Sequence, residues 1–279
     1  VQWLKAWGGA YPGYTTRHLS QLLRMVCSPT GAADGTGKLS RGLHTEYLAD
    51  QQAIIAVAPT PKGELLWTLS GGHNAERHNH NDLGHFMAAL NHQIIIPDIG
   101  NMLYTADFFG PKRYGYLAAS SRGHCCPIVN AHEQRPGRDA QGTLLSREAS
   151  DDHVLLELGL TAAYPPEAGL KRWVRAMMLD RKTGTCTIRD EFQSAPASTI
   201  EHIVWSTQQP HDPAPGRLVL GDLLLELSPA PTALSSDPIR PEDHRLREFG
   251  GQTLYRITAA YQTDSDGLLK ITSRFNVAK

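Results

Sequence analysis

Residues 173–190, WVRAMMLDRKTGTCTIRD, indicate the fold class because they read as two strands joined by a tight turn. Apolar and β-branched residues dominate 173–179 and 185–190, and the Lys182-Thr183-Gly184 sequence between them is typical of a hairpin turn. Similar short runs, separated by turn signals, recur at 53–57, 64–69, 93–96, 154–160, 200–206, 218–220, 223–227, 253–258 and 268–273. This spacing favours a mainly β fold, an antiparallel β-sandwich, over alternating strands and helices.

The composition of the intervening segments predicts where the chain turns. Residues 207–216 and 229–243 are rich in Pro, Ser and Asp, so we expect surface loops there. Trp67, Trp173 and Trp205 lie within predicted strands, and we expect them in the core.

The first 38 residues follow a different pattern. Apolar residues recur there at helical spacing and predict a helix within 1–27, before a Gly- and Pro-containing linker at 28–38. We therefore divide the chain into a helical segment with its linker, 1–38, and a β-sandwich domain, 39–279. So short a helical segment buries little by itself, and we interpret it as the end of a larger helical domain. The start at Val1 also leads us to expect a processed chain or a fragment.

Charge and composition exclude several classes of partner. Lys and Arg total 27 against 28 Asp and Glu, so no basic field indicates nucleic acid or an anionic membrane surface. The apolar runs are far shorter than the roughly 18 residues that span a bilayer. Four cysteines are too few for a disulfide framework in a chain of 279 residues, and we expect buried thiols. We predict neither nucleic-acid nor membrane partners.

Histidines are concentrated in one segment. Seven of the 13 lie between residues 73 and 132, more than twice the share that even scatter would give, namely His73, His78, His80, His85, His92, His124 and His132. Because imidazole binds metals and titrates near neutral pH, the concentration indicates a functional site.

The spacing within this segment suggests a metal site. His78 and His80 point to the same side of an extended chain. Asp98 follows an apolar run, and a hairpin through residues 91–92 would bring it back beside the histidines, with His124 at a third corner. Two imidazoles and one carboxylate suit zinc, at about 2.0–2.2 Å. Surface or hydrogen-bonded core histidines, with Asp82 as a turn or cap residue, are the alternative that spacing leaves open.

Residues 71–134 resemble the heparinase II/III-like polysaccharide lyases. Three pieces match in order and with similar spacings: HNHNDLGHF at 78–86, PDIGNMLYTADFF at 97–109 and KRYGYLAASSRGHCCPIVNAHEQ at 112–134. The resemblance implies an N-terminal (α/α) toroid joined to a C-terminal antiparallel β-sandwich. It also implies cleavage of uronic-acid polysaccharides by β-elimination. By this resemblance, the present chain is the sandwich with a remnant of the toroid.

The resemblance also implies roles for particular residues. His80, Asp98 and His124 match metal ligands, with zinc as the expected metal, and His78 matches a catalytic histidine that faces the substrate. Tyr104 and Tyr114 are the candidates for a catalytic tyrosine. In the family, the toroid supplies an Asn-His pair and a further tyrosine. This chain departs from the family where Asn usually follows the last histidine, because Cys125 stands there.

The chemistry of elimination suggests a substrate-binding set. The proton at C5 of a uronate lies next to the carboxylate, so its removal by a base needs cations or amides at the carboxylate oxygens. Guanidinium groups bind such oxyanions in pairs of hydrogen bonds. The candidates are Arg77, Asn79, Arg113 and Arg122, although each arginine also reads as a solvated surface residue and Asn79 as a loop amide.

Three functions follow as hypotheses. The first is a lyase acting on an acidic polysaccharide or oligosaccharide, of which this chain is the C-terminal part. The second is a zinc-stabilised carbohydrate-binding or interface module without chemistry of its own. The third is a metal-dependent hydrolase that uses zinc-bound water. We also consider a homodimer, and we expect a bacterial periplasmic or secreted protein in preference to a cytoplasmic one.

Overall fold

The computed structural model describes residues 44–76, 79–91, 93–100, 102–103, 105–110, 112–246 and 251–278. The helix and linker predicted at 1–38 lie outside these residues, as do Arg77, His78 and Tyr104 of the predicted site.

The described chain consists mainly of antiparallel strands, which confirms the predicted fold class. The strands are β1 (Thr45–Leu48), β2 (Ala53–Thr60), β3 (Gly63–Leu69), β4 (His73–Asn74), β5 (Phe86–Leu90), β6 (Gln93–Ile96), β7 (Ile128–Val129), β8 (Gly137–Gln141), β9 (Thr143–Ala149), β10 (His153–Gly159), β11 (Arg172–Asp180), β12 (Cys186–Gln193), β13 (Thr199–Ser206), β14 (His211–Ala214), β15 (Arg217–Leu220), β16 (Leu223–Ser228), β17 (Ala233–Ile239), β18 (Leu254–Gln262) and β19 (Leu268–Val277).

Helical structure in the described residues is limited to short 3₁₀ turns. They span Ala49–Gln51, Ala106–Phe109, Arg113–Gly115, Leu117–Ala119, Ser121–Gly123, Thr161–Ala163, Pro166–Ala168 and Pro241–His244. Four of them fall in the connection between β6 and β7, so this connection is compact. No helix among the described residues is long and apolar enough to cross a membrane.

The strands form four sheets. One has the order β1-β2-β3-β5-β6, and a second has the order β14-β15-β16-β19-β12-β11-β10-β9. A third has the order β17-β18-β13-β7, and β4 pairs with β8 in a two-stranded ribbon. The first and third sheets meet where Thr207, just after β13, donates from its amide to the carbonyl of Ile95 on β6, at 3.0 Å.

Aromatic side chains fill the space between the five-stranded and eight-stranded sheets. Trp67 on β3 lies 4.9 Å from Phe275 on β19, measured between ring centroids, and Phe86 on β5 lies 5.9 Å from the same ring. Trp67, Trp173 and Trp205 are each fully buried, which confirms their predicted place in the core. Burial of such large side chains accounts for much of the hydrophobic stabilisation of a sandwich.

The two predicted hairpins are present. β11 and β12 pair in antiparallel register, and the carboxylate of Asp180 accepts the amides of Lys182 and Thr183 in the turn, at 2.8 and 3.0 Å. β5 and β6 pair with Leu90 opposite Gln93. The second hairpin matters for function because it brings the chain after β6 back toward the segment before β5.

Two predicted loops contain strands instead. β14 lies within 207–216 and β17 within 229–243. Both are outermost strands of their sheets, where Pro and polar residues are tolerated because one side of the strand forms no ladder hydrogen bonds. Their composition therefore resembled that of a loop.

Candidate functional site

The site is built on three segments: the connection between β4 and β5, the start of the connection between β6 and β7, and the end of that same compact connection. They carry His80 and Asp82, Asp98, and His124 respectively. The antiparallel pairing of β5 with β6 brings the first two segments together.

Backbone and amide contacts fix the segment that carries His80. The Asn81 amide donates to the carbonyl of Ala119 at 3.0 Å, and the Ser121 hydroxyl donates to the carbonyl of Asn81 at 2.8 Å. The buried Gln134 side chain accepts from the amide of Leu83 at 3.0 Å and donates to its carbonyl at 2.7 Å. These bonds hold both neighbours of Asp82, Asn81 and Leu83. The side chains of His80 and Asp82 therefore have a defined position.

Asp98 presents one carboxylate oxygen to the site. It is 2% exposed, and its Oδ1 accepts the amide of Gly100 at 2.7 Å. Its Oδ2 lies 3.7 Å from Nδ1 of His124 and 3.8 Å from Nε2 of His85. A carboxylate fixed through one oxygen in this way is suited to bind a cation through the other.

His124 is fully buried and has a polar atom that lacks a hydrogen-bond partner. Its Nε2 lies 3.2 Å from the carbonyl of Ala118, so Nε2 carries the proton and Nδ1 keeps a lone pair. Nδ1 faces Asp98 and forms no hydrogen bond with the described residues. A buried lone pair aimed at a carboxylate is the arrangement expected of a metal ligand.

Four side chains converge at this point. His80, Asp82, Asp98 and His124 each offer one ligand atom, and these atoms lie within 4.8 Å of one another. His80 is 9% exposed and Asp98 and His124 are more deeply buried, whereas Asp82 is partly exposed. We call these four residues the His/Asp cluster. Two imidazoles and two carboxylates are a donor set that fits zinc.

Asp82 was assigned only a turn or cap role from sequence. Its carbonyl does accept the His85 amide at 2.9 Å, as in a turn, but its carboxyl group belongs to the cluster. Burial raises the pKa of Asp82 to about 6; His124 lowers it and Asp98 raises it, with smaller effects. Its position two residues after His80 was the available signal, because residues two apart share a side of an extended chain.

His85 is a second residue whose part in the site the sequence did not specify. It is 4% exposed, and its Nδ1 accepts the amide of Cys125 at 2.9 Å. The proton is then on Nε2, which points toward Asp98 Oδ2. His85 therefore links the peptide after His124 to Asp98. The backbone of Cys125 makes this contact, so it does not depend on the side chain at the position where the family has Asn.

The predicted substrate-binding residues divide into two groups. Asn79 lies beside Arg113 and Tyr114, since Arg113 Nη2 donates to the Asn79 carbonyl and the Tyr114 hydroxyl lies 3.4 Å from Asn79 Oδ1. The Arg113 guanidinium also lies over the ring of Phe108, 4.8 Å from its centroid. Arg122 is instead paired with Glu133 at 3.3 Å, so a substrate anion would compete with that carboxylate.

Comparison with known proteins identifies the fold. No family model and no curated protein matches the chain. Among solved structures, a heparan sulfate lyase, HepC, from Pedobacter heparinus matches 93% of this chain and 39% of its own, with a TM-score of 0.70 and 14% identity. A heparinase III, the BT4657 gene product, matches with a TM-score of 0.69 and 11% identity, covering 93% of this chain and 39% of its own. Another heparinase III gives a TM-score of 0.67 and 16% identity, covering 92% of this chain and 40% of its own.

Because the identities are low, these matches show a shared fold alone. The chain spans about two fifths of the length of the solved structures it matches. The described residues therefore have the β-sandwich architecture found in part of those lyases.

Proposed function

We propose that this chain forms the metal-binding sandwich of a lyase that cleaves uronic-acid polysaccharides or oligosaccharides by β-elimination. The observation that carries the proposal is the convergence of His80, Asp98 and His124 in a fold shared with heparan sulfate lyases. The pieces of sequence that resemble the lyase family are the same segments that build this convergence.

The ligands that we propose for zinc are His80, Asp98 and His124, with Asp82 as a fourth donor. When bound, zinc would supply a fixed positive charge that neutralises the two carboxylates and holds the three segments together. Four protein donors would leave the metal a structural role, as in zinc sites whose ligands all come from the protein. The chemistry would then fall to side chains next to the cluster.

The candidates are His78, which directly precedes Asn79 in the sequence, and a tyrosine. In our proposal, His78 removes the C5 proton, and a tyrosine, Tyr104 or Tyr114, protonates the C4 oxygen as it leaves. The Tyr114 hydroxyl already lies beside Asn79. Arg113 Nε is a buried donor without a hydrogen-bond partner among the described residues. This unused donor supports a role for Arg113 in binding a uronate carboxylate.

The first experiment tests the metal. Purified protein should contain about one zinc per chain, and His80→Ala should lose the metal and melt at a lower temperature, because zinc binding contributes to folding free energy. His153→Ala is the matched control, since His153 lies on β10 and its ring contacts only the Ser150 hydroxyl and exposed Glu148 among the described residues, each at 3.3 Å. Stoichiometric zinc in a variant lacking His80, Asp98 and His124 would contradict the ligand assignment.

The second experiment tests the reaction. The longest natural translation product that contains this chain should release products with a C4–C5 double bond from heparan sulfate, alginate or glucuronan, detected by ultraviolet absorbance. Saturated products would indicate a hydrolase instead.

A second candidate function is a zinc-stabilised carbohydrate-binding module. The burial of the cluster favours it, because a closed metal site contributes stability and need not take part in chemistry. Retention of polysaccharide without turnover in the same assay would support this candidate over the lyase.

A further inference from the structure

A buried arginine contacts the backbone of two segments that carry residues of the cluster. Arg175 lies on β11 and is fully buried. Its Nε and Nη2 donate to the two carboxylate oxygens of Asp190 on β12, at 2.7 and 2.9 Å. Burial lowers the pKa of Arg175, but the attraction of Asp190 outweighs it and raises the pKa above its ordinary value. The guanidinium is therefore charged and fixed in orientation.

The remaining nitrogen of Arg175 reaches two separate connections. Nη1 donates to the carbonyl of Gly84, at 2.7 Å, and to the carbonyl of Cys125. Gly84 directly precedes His85 and lies two residues after Asp82, whereas Cys125 directly follows His124. One guanidinium nitrogen thus joins the segment that carries Asp82 and His85 to the segment that carries His124.

The surroundings leave little freedom for this contact. Gly84 has φ +86°, and a Cβ there would lie 2.7 Å from Leu160 Cδ1 and 3.1 Å from Trp173 Cη2. The indole of Trp173 in turn donates to Asp190 Oδ1 at 2.8 Å. Gly84 therefore packs closely against Trp173, the residue that also binds Asp190.

We propose that Arg175, oriented by Asp190, is a positioning residue for the His/Asp cluster. It sets the separation between the segment of Asp82 and His85 and the segment of His124. The expected effect of Arg175 on zinc affinity rests on the proposed metal site. The hydrogen bonds of Arg175 to Gly84 and Cys125 do not depend on a metal. Such outer contacts typically change metal affinity by about 10–100-fold when removed.

Arg175→Lys is the first test variant. Lysine retains the positive charge opposite Asp190, but it lacks the planar fork that serves the carboxylate and two carbonyls together. Zinc affinity, measured by competition with a chelator, should fall by about 10–100-fold. Arg181→Lys is the matched control: Arg181 is also buried, 5% exposed, and donates to the carbonyl of Val57 on β2. The control should lose stability but keep its zinc affinity within about threefold.

Arg175→Met with Asp190→Leu separates positioning from stability. Replacing both partners of a buried ion pair by apolar residues often preserves stability. This double variant should fold and still bind zinc less tightly than the wild type. If both variants bind zinc within threefold of the wild type, or if neither folds, the positioning role is overturned.

A readout without metal distinguishes this inference from the metal proposal. In the chelator-treated protein, the ¹⁵N chemical shifts of the His85 and His124 rings report which nitrogen carries the proton. Arg175→Lys should change these shifts, and Arg181→Lys should leave them as in the wild type. Absence of zinc from the wild-type protein would overturn the proposed metal site, whereas unchanged ring shifts in Arg175→Lys would overturn the positioning role.

Discussion

At the scale of single residues, the carboxyl group of Asp82 opposes folding when no cation is bound. Asp82 ionises only above a pKa of about 6 in the folded protein, against 3.8 as its ordinary value. The unfolded chain therefore releases this proton at lower pH than the folded chain. The resulting penalty on folding grows from about pH 3.8 to 6 and is complete above that range.

Asp82→Asn should consequently stabilise the metal-free protein. At pH 8 we expect a gain of about 1–2 kcal/mol in the free energy of unfolding, after allowance for partial exposure of the site to water. The gain should shrink as the pH falls through 6 and vanish near 4. Urea unfolding in the presence of a chelator measures it, and the same variant should bind zinc more weakly. A less stable variant at pH 8 would contradict this account of Asp82.

His202 gives a pH dependence of the opposite sign. It is fully buried, its Nε2 lies 3.0 Å from the Ser273 hydroxyl, and its Nδ1 lies 3.6 Å from Asp190. Burial lowers its pKa from 6.5 to about 4, against the attraction of Asp190. The unfolded chain binds this proton from about pH 6.5 downward, so stability is lost as the pH falls from 6.5 to 4.

The contribution of His202 to this loss should be about 3 kcal/mol. Asp82 titrates in the same range with the opposite effect, so the measurement is a comparison of variants. Between pH 7 and 4.5, His202→Gln should lose less unfolding free energy than the wild type. Parallel curves for the two proteins would show that His202 does not titrate in this range.

At the scale of elements, the compact connection before β7 depends on one close approach. A Cβ on Gly123 would lie 2.2 Å from the carbonyl oxygen of Leu117, an atom of the backbone that cannot turn aside. Gly115, in the same connection, has open space where its Cβ would lie. The two glycines therefore form a matched pair for substitution.

Gly123→Ala should displace the peptide that precedes His124. We expect a loss of about 1–3 kcal/mol of stability, as for other overpacked sites, together with weaker zinc binding. Gly115→Ala should alter neither quantity measurably. Thermal denaturation and chelator competition on both variants provide the check, and equal behaviour of the two would remove Gly123 from the construction of the site.

The elements that could be predicted from sequence are those with a buried face. Every predicted apolar run overlaps a strand, because apolar and β-branched residues mark positions that face the core. β9 was not predicted, since six of its seven residues are exposed. β17 contains Pro238 and two serines, and its composition indicated a loop. An outermost strand is specified by its neighbour more than by its own residues.

The same limit applied to the site. His80, Asp98 and His124 were selected by spacing and by resemblance, and the structure brings them together. Nothing in the sequence indicated that Arg175 and Asp190 belong near the site. Arg175 lies 91 residues from Gly84 and 50 residues from Cys125, whose carbonyls it contacts. Contacts over such separations follow from topology. Zinc binding and the catalytic roles remain predictions.

At the scale of the whole molecule, we expect residues 1–279 alone to show little or no elimination of uronate. The matched lyases are more than twice as long, and the family resemblance implies that a helical toroid supplies the opposite wall of the cleft. Without that wall the substrate is poorly oriented, and orientation is worth as much as about 7–11 kcal/mol in well-aligned cases.

The measurement is the ultraviolet assay on heparan sulfate, alginate and glucuronan, with the purified 279-residue chain. Turnover should be below detection even when zinc is bound and the sandwich is folded. Efficient elimination by this chain on any of the three substrates would show that the site is complete within it.

The contacts of Arg175 also have a consequence for the order of folding. Its two carbonyl bonds close loops of 91 and 50 residues, so the entropy of each closure must be lost before the corresponding bond forms. Proteins dominated by such distant contacts fold slowly. We therefore expect the β11–β12 hairpin to form early and the cluster to assemble late. Interactions that form after the transition state mainly slow unfolding, so bound zinc would lengthen the lifetime of the folded chain more than it would speed its formation.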